Sequence, residues 1–268
     1  MFSHISAQVR KDTIFLDKSG KPKSDTDKYW SYKIYTYVDG VFKNPVCTYL
    51  PNGTLYSKKF CSSVEPEEIG EGNYLTFYKN GTGNVVGKYV NDKTHGTWKS
   101  YYETGELKST HEYLDGFMTG YRNNFYKNGK IYMSHKYLNN KKHGNCKDYF
   151  ENGQLRLDAN YNMGTPDGQW LTYTKEGNLL YFTSFKNGYC KIRVYYFNNS
   201  KQINVIKTYA QKGRQIQILT YYENGIIKQI QTQIKKSKKF IVEYYKENGE
   251  LEKIGKYNNG RFLKWIEQ

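Results

Sequence analysis

A fixed period of 24 residues is the feature that most constrains how this 268-residue chain can fold. A glycine marks each unit, and the marker glycines are Gly53, Gly81, Gly105, Gly129, Gly153, Gly177, Gly225 and Gly249. Every step from Gly81 to Gly177 is 24 residues long, and the next step, to Gly225, is twice that length. Its midpoint, Lys201, belongs to a unit that keeps the pattern without the glycine. Such a period over many units indicates a repeat array.

Other side chains keep step with the marker glycine. The aromatic residues four positions before each marker are Tyr49, Phe77, Tyr101, Phe125, Tyr149, Tyr173, Phe197, Tyr221 and Tyr245. An aliphatic residue usually follows the marker by two positions and another aromatic by eight, as Leu107 and Tyr113 follow Gly105. Because two and eight differ by an even number, a strand places both side chains on one face.

Each unit contains two turn signals. The marker glycine follows an asparagine in six units, and Asn-Gly between alternating segments predicts a type I′ hairpin turn with positive φ at both central residues. A second signal ends eleven residues later, as in Asp115-Gly116 and Asn187-Gly188. Two turns in each period leave two strands of roughly 7–8 residues. No segment shows a helical period.

We therefore predict an all-β fold, an elongated, twisted, antiparallel single-sheet array of β-hairpin repeats. With strands about 4.8 Å apart, about nine units would form a ribbon on the order of 80–90 Å long. Residues 1–48 are predicted to be a degenerate N-terminal capping segment, because terminal repeats are often atypical. Residues 49–189 form the regular repeats, and residues 190–268 form degenerate C-terminal repeats of the same array.

The pattern Y-Y-x-x-G-x-L, followed by K/E-Y-x-x-G and by Lys-Thr-His-Gly at 93–96 or Lys-Lys-His-Gly at 141–144, resembles MORN-type repeats. It is most similar to the MORN repeat variant with a 24-residue period. The resemblance covers residues 49–189 well and 190–260 weakly. It implies β-hairpin repeats with interaction or scaffolding roles, for which membrane or lipid association is often proposed. Bacterial antitoxin (immunity) proteins and large DNA viruses carry similar repeats.

The chain is strongly basic, with 41 Lys and Arg against 25 Asp and Glu and a formal net charge of +16. A basic surface attracts polyanions such as nucleic acid or anionic lipid headgroups. An AT-rich genome would also produce this Lys-, Asn-, Ile- and Tyr-rich composition. The residues predicted to contact a polyanion are Lys235, Lys236, Lys238 and Lys239. The alternative interpretation is an exposed strand edge that lysines protect from aggregation.

The location of the protein is predicted from what its sequence lacks. The four cysteines are scattered, with no C-x-x-C, which is typical of free thiols in a reducing compartment. The first residues lack the apolar core of a signal peptide, and no apolar run approaches the ~20 residues of a membrane span. We expect an intracellular, cytoplasmic protein without a transmembrane segment, from an AT-rich bacterium or a large DNA virus.

The sequence predicts no catalytic, cofactor-binding or metal site. Neighbouring units would hold His111 and His135 about 10 Å apart, and His95 and His143 would lie about 20 Å apart, too far to share a metal ion. No Ser or Cys is singled out with a His and an acid, and the glycine-rich stretches lack the Lys-Ser/Thr of a phosphate loop. The acidic segment 65–71, where the step between markers is four residues longer, is interpreted as a solvated loop.

The first functional prediction is a non-enzymatic repeat protein that acts as a protein-interaction scaffold, with an unidentified protein partner and self-association as a further expectation. Two alternatives stay open: an antitoxin or immunity protein that neutralises a toxin, and a basic binder of nucleic acid or anionic lipid. The tyrosines could stack bases or grip sugars. Because they recur in nearly all units, packing across strands is the favoured interpretation of these rings.

Overall fold

The computed structural model describes residues 7–23, 29–64, 67–197, 201–210, 214–234 and 237–266. These residues contain 22 β-strands and no helix, and the strands form one open antiparallel sheet of successive hairpins. The strands are β1 Val9–Leu16, β2 Ser31–Val38, β3 Val41–Tyr49, β4 Leu55–Ser63, β5 Ile69–Phe77, β6 Gly83–Val90, β7 Lys93–Tyr101, β8 Leu107–Leu114, β9 Phe117–Phe125, β10 Ile131–Leu138, β11 Lys141–Tyr149, β12 Leu155–Asn162, β13 Thr165–Pro166, β14 Gly168–Tyr173, β15 Leu179–Lys186, β16 Tyr189–Tyr196, β17 Ile203–Tyr209, β18 Gln215–Tyr221, β19 Ile227–Gln233, β20 Lys239–Tyr245, β21 Leu251–Asn258 and β22 Arg261–Ile266. The prediction of an all-β array of antiparallel hairpins is confirmed.

The strands fall into two compact units, each of which contains several of the 24-residue repeats. Among the described residues, the first unit covers 7–131 and 137–140, and the second covers 132–136 and 141–266. In the first unit each strand from β1 to β9 pairs antiparallel with the next. In the second unit the same order runs from β11 to β22, with the short β13 bridging part of the way between β12 and β14. The predicted division at residues 48 and 189 stays a prediction.

The turn at each marker glycine differs from the predicted type. Gly53 has a positive φ of 82°, whereas Asn52 does not, and the Gly53 N–H donates to the Leu50 carbonyl at 2.9 Å. This is a type I turn closed by a left-handed glycine, so the type I′ prediction is wrong here. The asparagine instead accepts a hydrogen bond, from the Thr54 N–H at 3.1 Å. The same bond recurs at Asn80, Asn128, Asn152, Asn224 and Asn248.

The other turn of the repeat is type I′ in seven of the described hairpins. Asp115 and Gly116 both have positive φ, 51° and 88°. The same conformation recurs at 39–40, 91–92, 139–140, 163–164, 187–188 and 259–260. Asn-Gly fits both turn types, because each needs a left-handed residue that glycine adopts without strain. The loop length, two residues or three, is what separates them.

The repeat that has Lys201 in place of the marker glycine departs from the predicted register. β16 ends at Tyr196, which pairs with Ile203 as Tyr101 pairs with Leu107. The loop that follows is closed by a hydrogen bond from the Phe197 N–H to the Gln202 carbonyl at 3.0 Å, one residue more than in the intact units. Tyr196 therefore takes the strand position that the period assigns to Phe197.

The tyrosine immediately after the predicted aromatic position joins consecutive repeats. The Tyr102 hydroxyl donates to the Phe125 carbonyl at 2.8 Å. The same bond joins Tyr78 to Tyr101 and Tyr222 to Tyr245. In each case the hydroxyl reaches a carbonyl 23 residues along the chain, in the next repeat, so this position stabilises the contact between neighbouring repeats. Sequence analysis did not single it out, although the second Tyr of the Y-Y pair marks it.

We expect Tyr102→Phe to lower the free energy of unfolding by about 0.5–1.5 kcal/mol, the net value of one hydrogen bond. The ring, which the Lys108 and Lys127 ammonium groups approach to 5.7 and 5.9 Å, stays in place. Urea denaturation followed by circular dichroism measures the change. Tyr121→Phe is the control, because Tyr121 is 45% exposed and should lose nothing. Equal effects of the two variants would contradict the role of the Tyr102 hydroxyl.

In each of the two compact units, one face of the sheet carries most of the buried side chains, and we call it the packed face. In the first unit it includes Val46 and Cys61, which are 1% and 3% exposed. In the second unit it includes Cys146, Ala159 and Thr183, none of which is more than 1% exposed. Small residues at the centre leave room for larger neighbours, and the candidate sites below lie on or beside this face.

Candidate functional site

The predicted polyanion contact is only partly described, since residues 235–236 lie outside the described residues. Lys238 and Lys239 are exposed at the beginning of β20. Lys239 is the ladder partner of Asn258, which in turn is the partner of Arg261. The structure thus places a third exposed cation, which the sequence analysis did not single out, on the same row. Only strand register could have revealed it.

A shallow cleft of about 190 Å³ opens next to this row, on the packed face of the second unit. The rings of Phe240, Tyr244 and Tyr257 and the side-chain amides of Gln229 and Gln231 line it. The Tyr244 and Tyr257 hydroxyls are 2.7 Å apart. Burial and this hydrogen bond raise the pKa of Tyr244 to about 12, so the phenol is neutral at pH 7. The cleft therefore offers apolar rings with a few polar groups, as small-ligand sites do.

Trp98 shows how the aromatic side chains of the first unit pack. Its ring centroid lies 5.7 Å from that of Tyr74, 5.1 Å from Tyr89 and 6.2 Å from Tyr113. The indole N–H donates to the Lys88 carbonyl at 3.2 Å. These rings contact one another across neighbouring strands, as the packing interpretation predicts.

Trp170 repeats this arrangement in the second unit, three periods further on. Its ring centroid lies 5.0 Å from that of Tyr161 and 4.9 Å from that of Phe185. The indole N–H donates to the Asn160 carbonyl at 2.9 Å, and Asn160 lies three periods after Lys88. The indole thus has the same packing role in these two repeats.

Glu68 contradicts the interpretation of the acidic segment as a solvated loop. Its carboxylate accepts hydrogen bonds from the Lys33 ammonium at 2.5 Å and the Tyr35 hydroxyl at 3.1 Å, and the Lys59 ammonium lies at 3.4 Å. Burial raises the pKa of Glu68, but the two lysines and the tyrosine together outweigh burial and hold it below the ordinary value. The insertion brings the carboxylate onto the packed face, where two lysines need a counter-charge.

His135 is buried and pairs with an acid, which in turn pairs with an arginine. Its Nε2 lies 2.8 Å from Asp148 Oδ1, and the other carboxylate oxygen is 2.9 Å from Arg156 Nη2. Burial raises the pKa of the Cys146 thiol on the same face, which disfavours the thiolate that a nucleophile requires. The His135, Asp148 and Arg156 side chains form a polar link across three strands.

His111 lies on the packed face with its Nδ1 3.5 Å from the Tyr113 hydroxyl, and burial together with Arg122 lowers its pKa. Within the described ranges no group of three or more His, Cys, Asp or Glu side chains could hold a metal ion. In the same ranges there is no helix with the length and apolarity needed to cross a membrane.

Two segments of the chain match a known family model. The family model described as MORN repeat variant matches residues 94–115 and 142–163. These segments hold β7 with β8 and β11 with β12, each ending in the following type I′ turn. No curated protein matches the chain significantly.

Proposed function

From the premise that this chain is built of MORN variant repeats, we propose that it is a non-enzymatic scaffold that binds a partner protein. MORN-type hairpin arrays are consistent with this role, since their sheets expose more surface than folding uses. The toxin-neutralising alternative has the same requirement, a protein held on an exposed surface. The proposal therefore needs a surface that the fold itself does not explain.

The observation that carries the proposal is an exposed apolar group in the first unit, which we call the edge patch: Leu114, Phe117 and Leu138. Leu114 and Phe117 are ladder partners across a two-residue turn and are 53% and 52% exposed. The Asn140 N–H donates to the Met118 carbonyl at 3.0 Å, which brings Leu138, 38% exposed, to the same edge. The three residues thus lie at the same edge, and their side chains are exposed to water.

Phe117 is the member of the edge patch that the repeat does not require. The residues one period before and after it are Lys93 and Lys141. Lysine suits an exposed turn edge, because its charge opposes aggregation. An exposed phenylalanine in its place costs solubility without adding to the core, and exposed apolar patches mark interaction sites. The edge patch therefore supports a partner whose own contact surface is apolar.

We expect Phe117→Lys to weaken partner binding strongly while leaving the fold intact, because the preceding and following repeats carry lysine at the same position. The full chain and the variant are immobilised, and captured proteins are quantified by mass spectrometry. Specific partners should be depleted by about tenfold or more, the usual effect of losing an aromatic anchor. Val41→Lys is the matched control, since Val41 is 59% exposed after another type I′ turn.

Two results would contradict the scaffold proposal. The first is that the wild-type chain enriches no protein over a blank surface. The second is that Phe117→Lys and Val41→Lys retain the same proteins in the same amounts as the wild type, which would remove the edge patch from the argument.

Polyanion binding is a second candidate function, and the row of Lys238, Lys239 and Arg261 favours it. All three side chains are exposed, and no carboxylate forms an ion pair with them among the described residues. Such a row attracts phosphate-bearing ligands with an affinity that falls as salt increases. The adjoining cleft adds aromatic and glutamine residues, which binding by charge alone would not need.

A further inference from the structure

We infer that the packed face of β16–β21 binds single-stranded nucleic acid, with phosphates at Arg193 and Lys207 and a base in the cleft at Gln229 and Gln231. The inference rests on polyanion binding as the candidate function and gives it a ligand class and a site. It adds two cations that lie away from the predicted basic run.

The first argument is an uncompensated pair of cations. Arg193 on β16 and Lys207 on β17 are direct ladder partners on the packed face. Like charges directly opposite each other destabilise a sheet. The Arg193 guanidinium lies 5.8 Å from the Tyr181 ring centroid, and the Lys207 ammonium lies 5.1 Å from that of Tyr195. Rings rather than carboxylates accompany both charges, which leaves the pair open to an anion.

The neighbours of Arg193 do not neutralise it. Its Nε donates to the Thr183 hydroxyl at 3.0 Å. Burial raises the pKa of both Cys190 and Tyr209 on the same face, so these groups are uncharged at pH 7. In the first unit, by contrast, the lysines of the packed face are held by Glu68. The positive charge on β16 and β17 is therefore available to a ligand.

Further along the same face, Lys253 adds to the positive field. Its ammonium lies 5.5 Å from the Tyr244 ring centroid and 5.2 Å from that of Trp265. It also pairs with Glu252 at 3.2 Å, but both side chains are more than 40% exposed, and such pairs contribute little. A phosphate could replace that carboxylate at small cost.

The second argument is the cleft. Lys207 is the ladder partner of Ile218, which is the partner of Gln231, so two strand spacings, about 10 Å, separate Lys207 from the cleft. No described residue hydrogen-bonds the side-chain amide of Gln229 or Gln231. A glutamine amide can donate to and accept from one base edge, and aromatic rings stack bases whatever their sequence.

These groups favour single-stranded nucleic acid over an anionic lipid surface. A lipid headgroup supplies phosphate, but no planar ring to stack on Phe240 or Tyr257. A duplex keeps its bases paired and stacked, so neither the rings nor the amides would be used. An unpaired strand satisfies all three kinds of group: the cations, the rings and the free amides.

The test is fluorescence anisotropy with a labelled single-stranded DNA of about 20 mixed-sequence nucleotides, titrated with the full chain at several salt concentrations. We expect R193Q/K207Q to bind about tenfold more weakly and to reduce the slope of log affinity against log salt by about 1.4, since each neutralised phosphate contributes about 0.7 for a single strand. Gln231→Leu should weaken binding without changing the slope. Circular dichroism confirms that each variant is folded.

K256Q/K264Q is the matched control. These ladder partners on β21 and β22 point to the opposite face and carry the same total charge. Equal weakening by both double variants would overturn the inference, because charge rather than site would then decide affinity. Equal binding of duplex DNA or anionic vesicles would also overturn it, although polyanion binding would survive. If no polyanion binds even at low salt, the inference and the polyanion function both fail.

Discussion

Gly87→Val should destabilise the first unit, although valine favours strands and glycine does not. A Cβ atom at Gly87 would lie 2.1 Å from Cδ2 of the Trp98 indole, so the ring must move. Moving it disturbs the ring contacts with Tyr89 and Tyr113 and the indole hydrogen bond. We expect the free energy of unfolding to fall by about 1–3 kcal/mol, the usual cost of overpacking. Urea denaturation followed by tryptophan fluorescence and circular dichroism measures it.

Gly83→Val is the control for Gly87→Val. Gly83 lies on the same strand with nothing within 4 Å of its Cβ position, so valine there should be neutral or stabilising. The effect of Gly87→Val should also nearly vanish in a Trp98→Ala background, because the three atoms nearest the added Cβ all belong to the indole. If both glycine positions respond alike, or the effect persists without the indole, Trp98 does not determine the residue at Gly87.

The equivalent position in the second unit indicates how strongly a side chain at Gly87 would destabilise the fold. Three periods after Gly87 stands Ala159, fully buried, and three periods after Trp98 stands Trp170. A single methyl group is therefore compatible with an indole eleven residues further on. Gly87→Ala should accordingly cost less than Gly87→Val, and the series measures how closely the indole approaches the strand.

The repeat explains why so much of the fold follows from the sequence. A period of 24 places the glycine-marked repeats in the same register, so one hairpin recognised at Gly105 predicts the others that keep the marker. The pairing of a small residue with a tryptophan eleven positions later was also readable, at Gly87 and at Ala159. The turn type at Gly53 was not, because Asn-Gly satisfies both a type I′ turn and a type I turn closed by glycine.

The candidate sites were harder to predict because they depend on contacts outside the period. Glu68 meets Lys33 from 35 positions away, through an insertion that the repeat does not describe. Arg193 and Lys207 become neighbours only through the shifted register of the glycine-less unit. Arg261 joins the predicted basic row through Asn258. In each case the sequence shows the charges, and strand pairing decides which of them meet.

Glu68→Gln should lower the free energy of unfolding at neutral pH by about 2–4 kcal/mol, somewhat less than the ~3–5 kcal/mol for breaking a fully buried ion pair, because these side chains are only partly buried. The glutamine keeps the shape of the side chain and can still accept a hydrogen bond from Tyr35. It leaves Lys33 and Lys59, which are only 27% and 21% exposed, without the carboxylate between them. Urea denaturation followed by circular dichroism measures the loss.

The loss of stability in Glu68→Gln should depend on pH, and the pKa of Glu68 gives the direction. The pKa of Glu68 in the folded chain lies below its ordinary value of 4.5. A depressed pKa contributes stability that is fully present above the unfolded value and is lost as the pH falls through the folded value. The difference between wild type and Glu68→Gln should therefore be constant from about pH 7 down to about pH 5 and shrink at lower pH.

Glu67→Gln removes the same charge from the adjacent, exposed side chain and is the matched control. We expect it to change the free energy of unfolding by less than about 0.5 kcal/mol at any pH, as surface substitutions usually do. A Glu68→Gln effect no larger than this, or one that persists undiminished in acid, would show that the lysines do not depend on Glu68. Asp92, 3.0 Å from the Lys59 ammonium, would then be the counter-charge on which Lys59 depends.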